Sequence, residues 1–433
     1  MTEELGALID GQEIGRVRQG RDGRLTFVYD DSWRQADNSY PISLSLPLAA
    51  SEHGHEPIHA FLWGLLPDNE RILDTWARRF GVSARNPFSL LANVGEDCAG
   101  AVQFVRPERV HGIKDGTLDK LEWLTVADVA ERLRTLRTDQ AAWRRPGDEG
   151  QFSLAGARPK TALTLENGRW GLPSGRTPTT HILKPPTGEH DGFAENEHYC
   201  LELAAQLGLP VARSHVMHFE DQVAIVVERY DRVRTSRGWA RVHQEDLCQA
   251  LGVPPTRKYE NEGGPGVGSV IQLLRDHSRA AMEDLSTFVG ALALSWLIAA
   301  TDGHAKNYSI LIGVGGAIRL APLYDLASAL PYPTSLDPYR IKLAMKVGGE
   351  YLVKKIGRRQ WEKLATQMRV QRDDVLGTVT QLAEKAPDVA QDVRRAAERD
   401  GLSHDILPRL ADAVAARAKA CLEELSTSVR KES

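Results

Sequence analysis

Cysteine is scarce in this chain, and the cysteines that are present do not form pairs. The 433 residues include four, which lie far apart and make no C-x-x-C motif: Cys98, Cys200, Cys248 and Cys421. A zinc ribbon needs closely spaced cysteine ligands and a small secreted domain needs a disulfide framework, so the sequence argues against both classes. Scattered thiols instead indicate a protein of the reducing cytosol.

The chain also has little net charge and no apolar run long enough to cross a bilayer. Its formal charge is −4 and its pI is about 6.4, so the charge of the whole chain does not predict direct nucleic-acid binding. A local basic face or a DNA-binding partner is compatible with this value. The acidic N-terminus lacks the apolar core of a signal peptide, and the longest apolar run, residues 288–300, predicts a buried helix. We therefore expect a cytoplasmic protein without a membrane partner.

What the sequence does contain is the patterning of an α+β globular protein. With 42% hydrophobic and 26% charged residues, the chain can bury a substantial core. We predict a β-rich α+β subdomain over 1–105, a linker and helix over 106–150, a strand-rich part over 151–240 and a helical part over 241–433. A strand-rich lobe followed by a helix-rich lobe is the order of a two-lobed protein-kinase-like fold.

Several short segments carry predictions of their own. Alternating apolar and polar residues over 41–46 predict a half-exposed strand. Charged, turn-rich residues over 106–122 predict a linker before a helix at 126–136, and residues 144–150 predict a break. Residues 243–246 predict a helix start, where acidic side chains are common. The glycine-dense run 263–268 predicts a mobile loop.

Residues 301–307 carry the most informative motif. The run Thr-Asp-Gly-His-Ala-Lys-Asn directly follows the apolar run and places Asn307 five positions after Asp302. Asp-x-x-x-x-Asn is the spacing of a protein-kinase catalytic loop, in which the Asp accepts the proton of the attacking hydroxyl and the Asn holds a metal ion. Taken alone, the run is also compatible with an Asp-Gly turn and an ordinary helix start.

A predicted hairpin brings a second acidic residue to this motif. Residues 308–312 predict a strand and 317–323 its return strand, with a tight glycine turn between them. The return strand ends next to Asp325, so the hairpin would carry this carboxylate back beside Asp302 and Asn307. Three oxygen ligands at one end of a hairpin suit a hard cation that carries nucleotide phosphates.

Three further segments fit a nucleotide site, each with a simpler alternative. Residues 153–160 are small enough for backbone N–H groups to approach phosphates, but they match neither the Walker A nor the kinase glycine loop, and a plain β-turn explains them. Lys184 ends a predicted strand, where a kinase needs a cation against the phosphates and where a solvated strand end is also ordinary. Residues 228–231 follow an apolar strand and could form an adenine-binding hinge or an edge loop without a ligand.

With these residues in place, the chain resembles the HipA family, the kinase toxins of bacterial toxin–antitoxin pairs. The resemblance covers nearly the whole length. It rests on motifs that follow one another in order: Leu65-Leu66-Pro67-Asp68, Asn86-Pro87-Phe88-Ser89-Leu90-Leu91, Ser153-Leu154-Ala155-Gly156-Ala157 with Lys160, His181-Ile182-Leu183-Lys184, Glu228-Arg229-Tyr230-Asp231, Gln244-Glu245-Asp246, residues 300–307, and Leu323-Tyr324-Asp325. Leu326-Ala327 stands where ordinary kinases have Phe-Gly after the metal-binding Asp, so their activation-loop switch is not implied.

The resemblance implies a role for each matching residue. Asp302 would be the catalytic base, and Asn307 and Asp325 would hold Mg²⁺. The residues implied to contact ATP are Ala155, Gly156, Ala157, Arg158, Pro159, Lys160, Lys184, Glu228, Arg229, Tyr230, His304, Asn307, Tyr324 and Asp325. Ser153 matches the serine that this family autophosphorylates. A phosphate there adds roughly two negative charges, which would expel the loop and switch the kinase off.

The resemblance also implies partners and a target class. The usual partner is a small helix-turn-helix antitoxin, HipB-like, that binds the toxin and represses the operon, so operator DNA would be bound mainly through the antitoxin. The known targets of the family are aminoacyl-tRNA synthetases, whose phosphorylation causes growth arrest and persistence. A small-molecule or lipid kinase and a non-catalytic co-repressor are the alternatives, because fold alone does not decide the acceptor. The intact set of Asp302, Asn307, Asp325 and Lys184 argues against the non-catalytic reading.

Overall fold

The computed structural model describes residues 3–143, 151–186, 188, 191–236, 238–332 and 340–426, and the chain divides into two compact units. The first unit comprises residues 1–187, 217–256 and 309–318, and the second comprises 188–216, 257–308 and 319–433. The four segments predicted from the sequence divide the chain in sequence order instead, and they stay a prediction. The predicted break at 144–150 lies outside the described residues.

The secondary structure is mixed, as predicted. The strands are β1 (Glu3–Ile9), β2 (Gln12–Gln19), β3 (Leu25–Tyr29), β4 (Glu52–His53), β5 (Gln103–Val105), β6 (Lys120–Leu124), β7 (Thr161–Glu166), β8 (Arg169–Ser174), β9 (His181–Lys184), β10 (Ser214–Phe219), β11 (Gln222–Glu228), β12 (Arg232–Thr235), β13 (Gly238–Arg241), β14 (His243–Asp246), β15 (Ser309–Gly313), β16 (Ala317–Leu320), β17 (Lys342–Val347) and β18 (Glu350–Leu352). The helices are α1 (Asp31–Arg34), α2 (His55–Gly64), α3 (Glu70–Phe80), α4 (Pro87–Val94), α5 (Pro107–Asp115), α6 (Val126–Thr138), α7 (Phe193–Gln206), α8 (Leu247–Ala250), α9 (Val267–His277), α10 (Ala281–Leu297), α11 (Arg358–Met368), α12 (Arg372–Arg399) and α13 (Ile406–Ser426).

Antiparallel sheets organise the first unit. A five-stranded sheet has the order β4-β3-β2-β1-β5, and a six-stranded sheet has the order β10-β11-β9-β7-β8-β6. β1 and β2 join through Asp10 and Gly11, whose φ angles are 48° and 78°. A two-residue hairpin turn of type I′ requires positive φ at both positions. Phe27, Phe61 and Phe104 are buried in one core cluster, which packs the helices of residues 31–94 against the five-stranded sheet.

The strands that carry candidate site residues are confirmed. β9 coincides with the predicted strand over 181–184, and β11 begins one residue before the predicted strand over 223–228. The hairpin is present as β15 and β16, with a 3-10 turn between them. The return strand ends at Leu320 rather than at 323, and Pro322, which has no N–H for a strand ladder, explains the early end.

Residues 41–46 form turns, so the predicted strand is wrong. Ile42 and Leu46 are buried, but Ser43 is buried too and Leu44 is only half-buried, so burial does not follow the alternating pattern. Two backbone N–H groups of this segment donate to side-chain oxygens rather than to the carbonyls of a neighbouring strand. The N–H of Ile42 donates to the Tyr29 hydroxyl at 2.9 Å, and the N–H of Leu44 donates to Glu245 Oε1 at 2.8 Å. The alternation of apolar and polar residues therefore arose here without a sheet.

The predicted linker over 106–122 is also wrong, because this stretch contains α5 and β6. Pro107 occupies the first turn of α5, and Gly116 ends the helix in the left-handed region. Pro is favoured at the first helical position and Gly just past the last, so the apparent turn signals are helix ends. β6 pairs with β8 at the edge of its sheet, with Trp123 opposite Gly171, and edge exposure explains its polar composition.

Residues 243–246 are a strand rather than a helix start. They form β14, which pairs with β15, and Asp246 lies opposite Ser309. The acidic residues do precede a helix, since the Asp246 carboxylate accepts the N–H groups of Cys248 and Gln249 at the start of α8. The acidic residues therefore do lie beside a helix start, and the helix begins one residue after the predicted segment.

Glu245 on β14 provides a stability prediction with a definite sign. It is 1% exposed, and burial raises its pKa from 4.5 to about 8. A carboxyl whose pKa is higher in the folded state than in the unfolded state binds more protons when the protein is folded. The free energy of unfolding therefore falls as the pH rises from the unfolded pKa to the folded pKa. Glu245→Gln keeps an oxygen for the Leu44 N–H, so we expect it to remove this loss between about pH 5 and pH 8. Unfolding midpoints of both proteins across that range measure the effect.

The control for this prediction is Glu131→Gln, at an exposed carboxylate on α6. This variant should lose stability with pH as wild type does. If the wild-type and Glu245→Gln midpoints change in parallel with pH, the buried carboxyl does not titrate in this range and the assignment is wrong.

Helices dominate the second unit. α10 covers most of the apolar run, and its buried Asp284 accepts from Arg319 Nε at 3.0 Å and from the Leu320 N–H at 2.8 Å. α9 begins at Val267, so the predicted mobile loop over 263–268 is wrong for its last residues. No helix in the described part of the chain is long and apolar enough to span a membrane.

Candidate active site

The loop that carries Asp302 follows directly from α10. Ala299 has a φ of 50°, the left-handed conformation in which a helix commonly ends and which non-glycine residues rarely adopt. Two bonds hold the turned chain: the Ala300 N–H donates to the Ser295 carbonyl at 2.8 Å, and the Ala329 N–H donates to the Ala299 carbonyl at 3.3 Å. The end of α10 therefore directs the chain into the loop.

Within the loop, the Asp-x-x-x-x-Asn spacing has a geometric basis. The Asn307 side-chain amide donates to the Asp302 carbonyl at 2.6 Å, and the His304 N–H donates to the same carbonyl at 2.8 Å. Residues Ala305–Asn307 form a 3-10 turn that brings the amide back over the loop. The Asp302 side chain is 63% exposed, whereas that of His304 is 4% exposed. The loop thus fixes its own backbone and leaves one carboxylate open to solvent.

Asp325 lies in the same unit, between two points at which its segment is fastened. The adjacent Tyr324 hydroxyl donates to the Lys306 carbonyl at 2.8 Å, inside the loop. On the other side, the Ser328 hydroxyl donates to the Ile298 carbonyl at 2.6 Å, at the end of α10. Asp325 itself has a φ of 52°. Strained backbone of this kind persists only where the surroundings hold it, and it is common at functional sites.

Asn196 on α7 is a positioning residue that the sequence patterns did not identify. It is fully buried, and its amide pairs with both backbone groups of Ser328: Nδ2 donates to the carbonyl at 2.8 Å, and Oδ1 accepts the N–H at 2.9 Å. A side-chain amide that pairs in this way imitates a strand ladder. Asn196 therefore fixes the chain three residues after Asp325.

The donor set of these residues suits magnesium better than a transition metal. Among the described residues, no group of three or more His, Cys, Asp or Glu side chains could hold a metal by itself. Mg²⁺ is usually bound through one or two protein oxygens together with substrate phosphates and waters. The Asn307 amide oxygen and the Asp325 carboxylate are donors of this type, and their role as Mg²⁺ ligands stays a prediction.

In the first unit, residues 153–160 contact a second sequence motif. The Ser153 hydroxyl donates to the Leu65 carbonyl at 2.8 Å, and the Asp68 N–H donates to the Gly156 carbonyl at 3.1 Å. Pro67 and Gly156 form an isolated parallel bridge. The motif at residues 65–68 therefore supports the loop, a relation that the sequence alone does not show.

The loop also holds itself through Lys160. Its Nζ donates to the Ala155 carbonyl at 2.6 Å and lies 5.3 Å from the centre of the Trp143 ring. Gly156 has a φ of 107°, and a Cβ built there would lie 2.3 Å from Lys160 Nζ. The positive φ favours glycine at this position, whereas the end of the Lys160 side chain could move aside. Ala157 contributes its carbonyl, which accepts from Asn69 Nδ2 at 3.4 Å; Arg158 and Pro159 complete the loop.

Lys184 and Glu228 lie on neighbouring strands of the six-stranded sheet. Lys184 is opposite Ile225, and Glu228 is opposite His181, so the two residues lie at opposite ends of the paired stretch. Lys184 is 9% exposed and has partners within the protein. The predicted position of Lys184 at a strand end is confirmed, and its role with phosphates stays a prediction.

The residues of the predicted hinge that follow Glu228 belong to a buried charge cluster. The guanidinium of Arg229 donates to the Asp231 carboxylate, to the Thr179 hydroxyl at 2.8 Å and to the Cys98 carbonyl at 2.7 Å. Its backbone is bonded as well: the Arg229 N–H donates to the Thr180 carbonyl at 2.9 Å, and the Arg229 carbonyl accepts the Arg232 N–H at 3.1 Å. The contact of Arg229 with a nucleotide stays a prediction. Tyr230 donates its hydroxyl to Gln244 Oε1.

Asp97 is the centre of that cluster and was missed by the sequence analysis. Burial alone would raise the pKa of its carboxyl, but Arg232, Arg241 and Arg229 together hold that pKa far below the usual range. Its backbone carbonyl accepts the Ser153 N–H at 3.0 Å. One residue thus connects the hinge to the loop of Ser153. Its charge partners are 132 to 144 positions away in the chain, so no local signal identifies them.

These features define a class: an α+β protein of kinase-like fold with an exposed Asp on a loop fixed by an Asn five residues later. The chain belongs to the HipA family. The family model described as HipA N-terminal domain matches residues 5–105, and the model described as HipA-like C-terminal domain matches residues 152–390. The recognition made from the sequence motifs is confirmed, and the family is one of kinase toxins of toxin–antitoxin systems.

Relatives match along most of the chain. Y4mE of Sinorhizobium fredii, named as a candidate kinase, is 37% identical over 412 residues, which cover 95% of this chain and 96% of the relative. The serine/threonine-protein kinase toxin HipA of Shewanella oneidensis is 29% identical over 383 residues, covering 84% of this chain and 83% of the relative. A solved complex of Shewanella oneidensis HipA with HipB and operator DNA matches with a TM-score of 0.81 at 25% identity, covering 98% of this chain and 100% of that chain.

Proposed function

We propose that this chain is an ATP-dependent serine/threonine protein kinase that acts as the toxin of a toxin–antitoxin pair. The observation that carries the proposal is the catalytic loop, in which the Asp302 backbone carbonyl accepts from the Asn307 amide and the His304 N–H while the Asp302 carboxylate stays exposed. Family membership and relatives named as kinases support phosphotransfer. Serine or threonine as the acceptor rests on the name of one relative.

We assign the individual roles as follows. Asp302 accepts the proton of the acceptor hydroxyl, and Asn307 and Asp325 hold Mg²⁺. ATP is held by the loop over 155–160, by Lys184, by the backbone of Glu228 to Tyr230, and by His304 and Tyr324. Bound Mg²⁺ would neutralise charge on the phosphates. The chain's own residues orient the nucleotide and remove the proton from the acceptor.

Ser153 is the proposed site of self-inactivation. Its side chain is 0% exposed, and its hydroxyl and N–H are bonded to Leu65 and Asp97. A phosphate of roughly two negative charges cannot occupy this buried position without a cation to pair with it. Phosphorylation would therefore displace the loop over 153–160 and remove its backbone groups from the nucleotide.

The proposed partner is a helix-turn-helix antitoxin like HipB, with operator DNA bound mainly through that partner. The support is the Shewanella oneidensis complex, which contains HipA, HipB and operator DNA. The net charge of −4 on this chain agrees with DNA binding through the partner. We propose an aminoacyl-tRNA synthetase as the target, on the family resemblance alone, with growth arrest and persistence as the outcome.

Controlled expression in bacterial cells tests this function. We expect wild type to arrest growth and to place phosphate on a serine or threonine of a cellular protein, measured by phosphopeptide mass spectrometry. The Asp302→Ala variant should do neither. Phosphate that appears only on a metabolite would show a small-molecule kinase, and growth arrest by the Asp302→Ala variant would show a toxin that acts by binding.

A further inference from the structure

The Asp302 carboxylate receives a hydrogen bond from a residue that no kinase motif includes. The Tyr259 hydroxyl donates to Asp302 Oδ1 at 2.8 Å. Among the described residues, Oδ2 receives no hydrogen bond from the protein, and the side chain is 63% exposed. The two oxygens of the carboxylate therefore have different surroundings, one fixed by the protein and one open to an acceptor.

Tyr259 is held in place by contacts on both sides. The carbonyl of the preceding Lys258 accepts the Ala305 N–H of the catalytic loop at 3.3 Å. The carboxylate of the following Glu260 accepts the Lys346 N–H of β17 at 2.7 Å. The Tyr259 ring also packs edge-on against the His304 ring, with centroids 4.9 Å apart. The hydroxyl is thus presented to Asp302 by a fixed segment.

The glycine-dense run completes this arrangement. The Glu262 and Gly264 N–H groups both donate to the Tyr259 carbonyl, at 3.0 and 2.9 Å. A Cβ built on Gly264 would lie 2.0 Å from the Arg257 carbonyl oxygen, so no larger residue fits the turn. The run predicted as a mobile loop therefore includes a tight turn that sets the position of Tyr259.

We propose that Tyr259 is a positioning residue for the catalytic base, holding Asp302 Oδ1 so that Oδ2 faces the acceptor hydroxyl. The inference rests on the proposed kinase function. In the transfer, the acceptor oxygen forms a bond to the γ-phosphorus of ATP, the bond from that phosphorus to the leaving oxygen of ADP breaks, and the acceptor proton passes to Oδ2. Tyr259 keeps its own proton and stabilises the ionised carboxylate through a charge-assisted hydrogen bond.

The test is Tyr259→Phe in the full-length chain, produced with a co-expressed phosphatase and verified free of phosphate by mass. Phe keeps the ring against His304 and removes the donor. We expect the maximal rate of phosphate transfer from γ-labelled ATP to fall about tenfold, the effect of losing one hydrogen bond to a charged group. The ATP concentration for half-maximal rate should stay within about twofold of wild type. The reason is that the substitution leaves in place the contacts that bind ATP equally in the ground state and the transition state.

The division between the two kinetic constants separates positioning from mere structure, because a general loosening of the site would also weaken ATP binding.

Tyr199→Phe is the matched control, since the Tyr199 hydroxyl donates to the Ala390 carbonyl at 2.7 Å in the helical core. The Tyr199→Phe variant should lower the unfolding midpoint and leave the maximal transfer rate unchanged. A Tyr259→Phe maximal rate equal to wild type would overturn the inference and leave the kinase function intact. Phosphate on Tyr259 of wild type would also overturn it, because the hydroxyl would then be an acceptor. No transfer by wild type would overturn the kinase function and this inference with it.

Discussion

Replacing Asp302 by alanine is expected to lower phosphate transfer by about a thousandfold or more, since a general base contributes on the order of 10² to 10⁴ and the anchoring contact of Tyr259 is lost with it. The fold should survive, because the Asp302 side chain is 63% exposed. In the variant, the backbone carbonyl of residue 302 still accepts from the Asn307 amide and the His304 N–H. The unfolding midpoint should therefore change little. Initial rates with γ-labelled ATP and a thermal melt measure the two expectations.

Asp276→Asn is the control for a lost carboxylate in the same unit. Asp276 accepts from the neighbouring Gln272 on α9, at 2.8 and 2.9 Å, away from any proposed role. The Asp276→Asn variant should transfer phosphate at the wild-type rate. Asp302→Ala activity close to wild type, in a protein with an unchanged melt, would remove Asp302 from the role of base.

Replacing Ser153 by alanine is expected to remove most self-labelling while ATP binding and transfer to other acceptors persist. The reason is that the proposed acceptor hydroxyl disappears, whereas the N–H bond to Asp97 that holds the loop remains. The lost bond to the Leu65 carbonyl should cost about 1 kcal/mol of stability. Phosphopeptide mapping after incubation with ATP and Mg²⁺ gives the result directly.

The matched control for this change is Ser174→Ala. The Ser174 hydroxyl also donates to a backbone carbonyl, that of Leu118 at 3.1 Å, in the same unit. The variant should lose comparable stability and label itself as wild type does. Full-strength labelling of Ser153→Ala would place the self-modified residue elsewhere in the chain.

Local sequence signals predicted the parts of this fold that rest on short-range physics. The apolar run gave α10, and the glycine turn with its flanking strands gave the β15–β16 hairpin. The Asp302 to Asn307 spacing was informative because its cause is local: the amide bonds a carbonyl five residues earlier. Proline and glycine near 106–116 misled because the same residues mark loops and helix ends.

Long-range contacts account for what the sequence did not show. The apolar alternation over 41–46 suggested a strand, but Glu245, about two hundred residues later, supplies the acceptor that replaces a strand neighbour. Tyr259 reaches Asp302 across 43 positions, and Asp97 meets Arg232 across 135. A tyrosine or a buried arginine has no spacing pattern that marks such a partner. The residues that position the candidate site were therefore visible only in the fold.

The most direct test of the kinase account is transfer from γ-labelled ATP with Mg²⁺ by the purified, phosphate-free full chain, with Asp302→Ala alongside. Mass spectrometry locates any label. The account predicts label on Ser153 of wild type and none on the variant. Label that does not depend on Asp302, or a wild-type chain that binds ATP and transfers nothing to itself or to added protein, would contradict it.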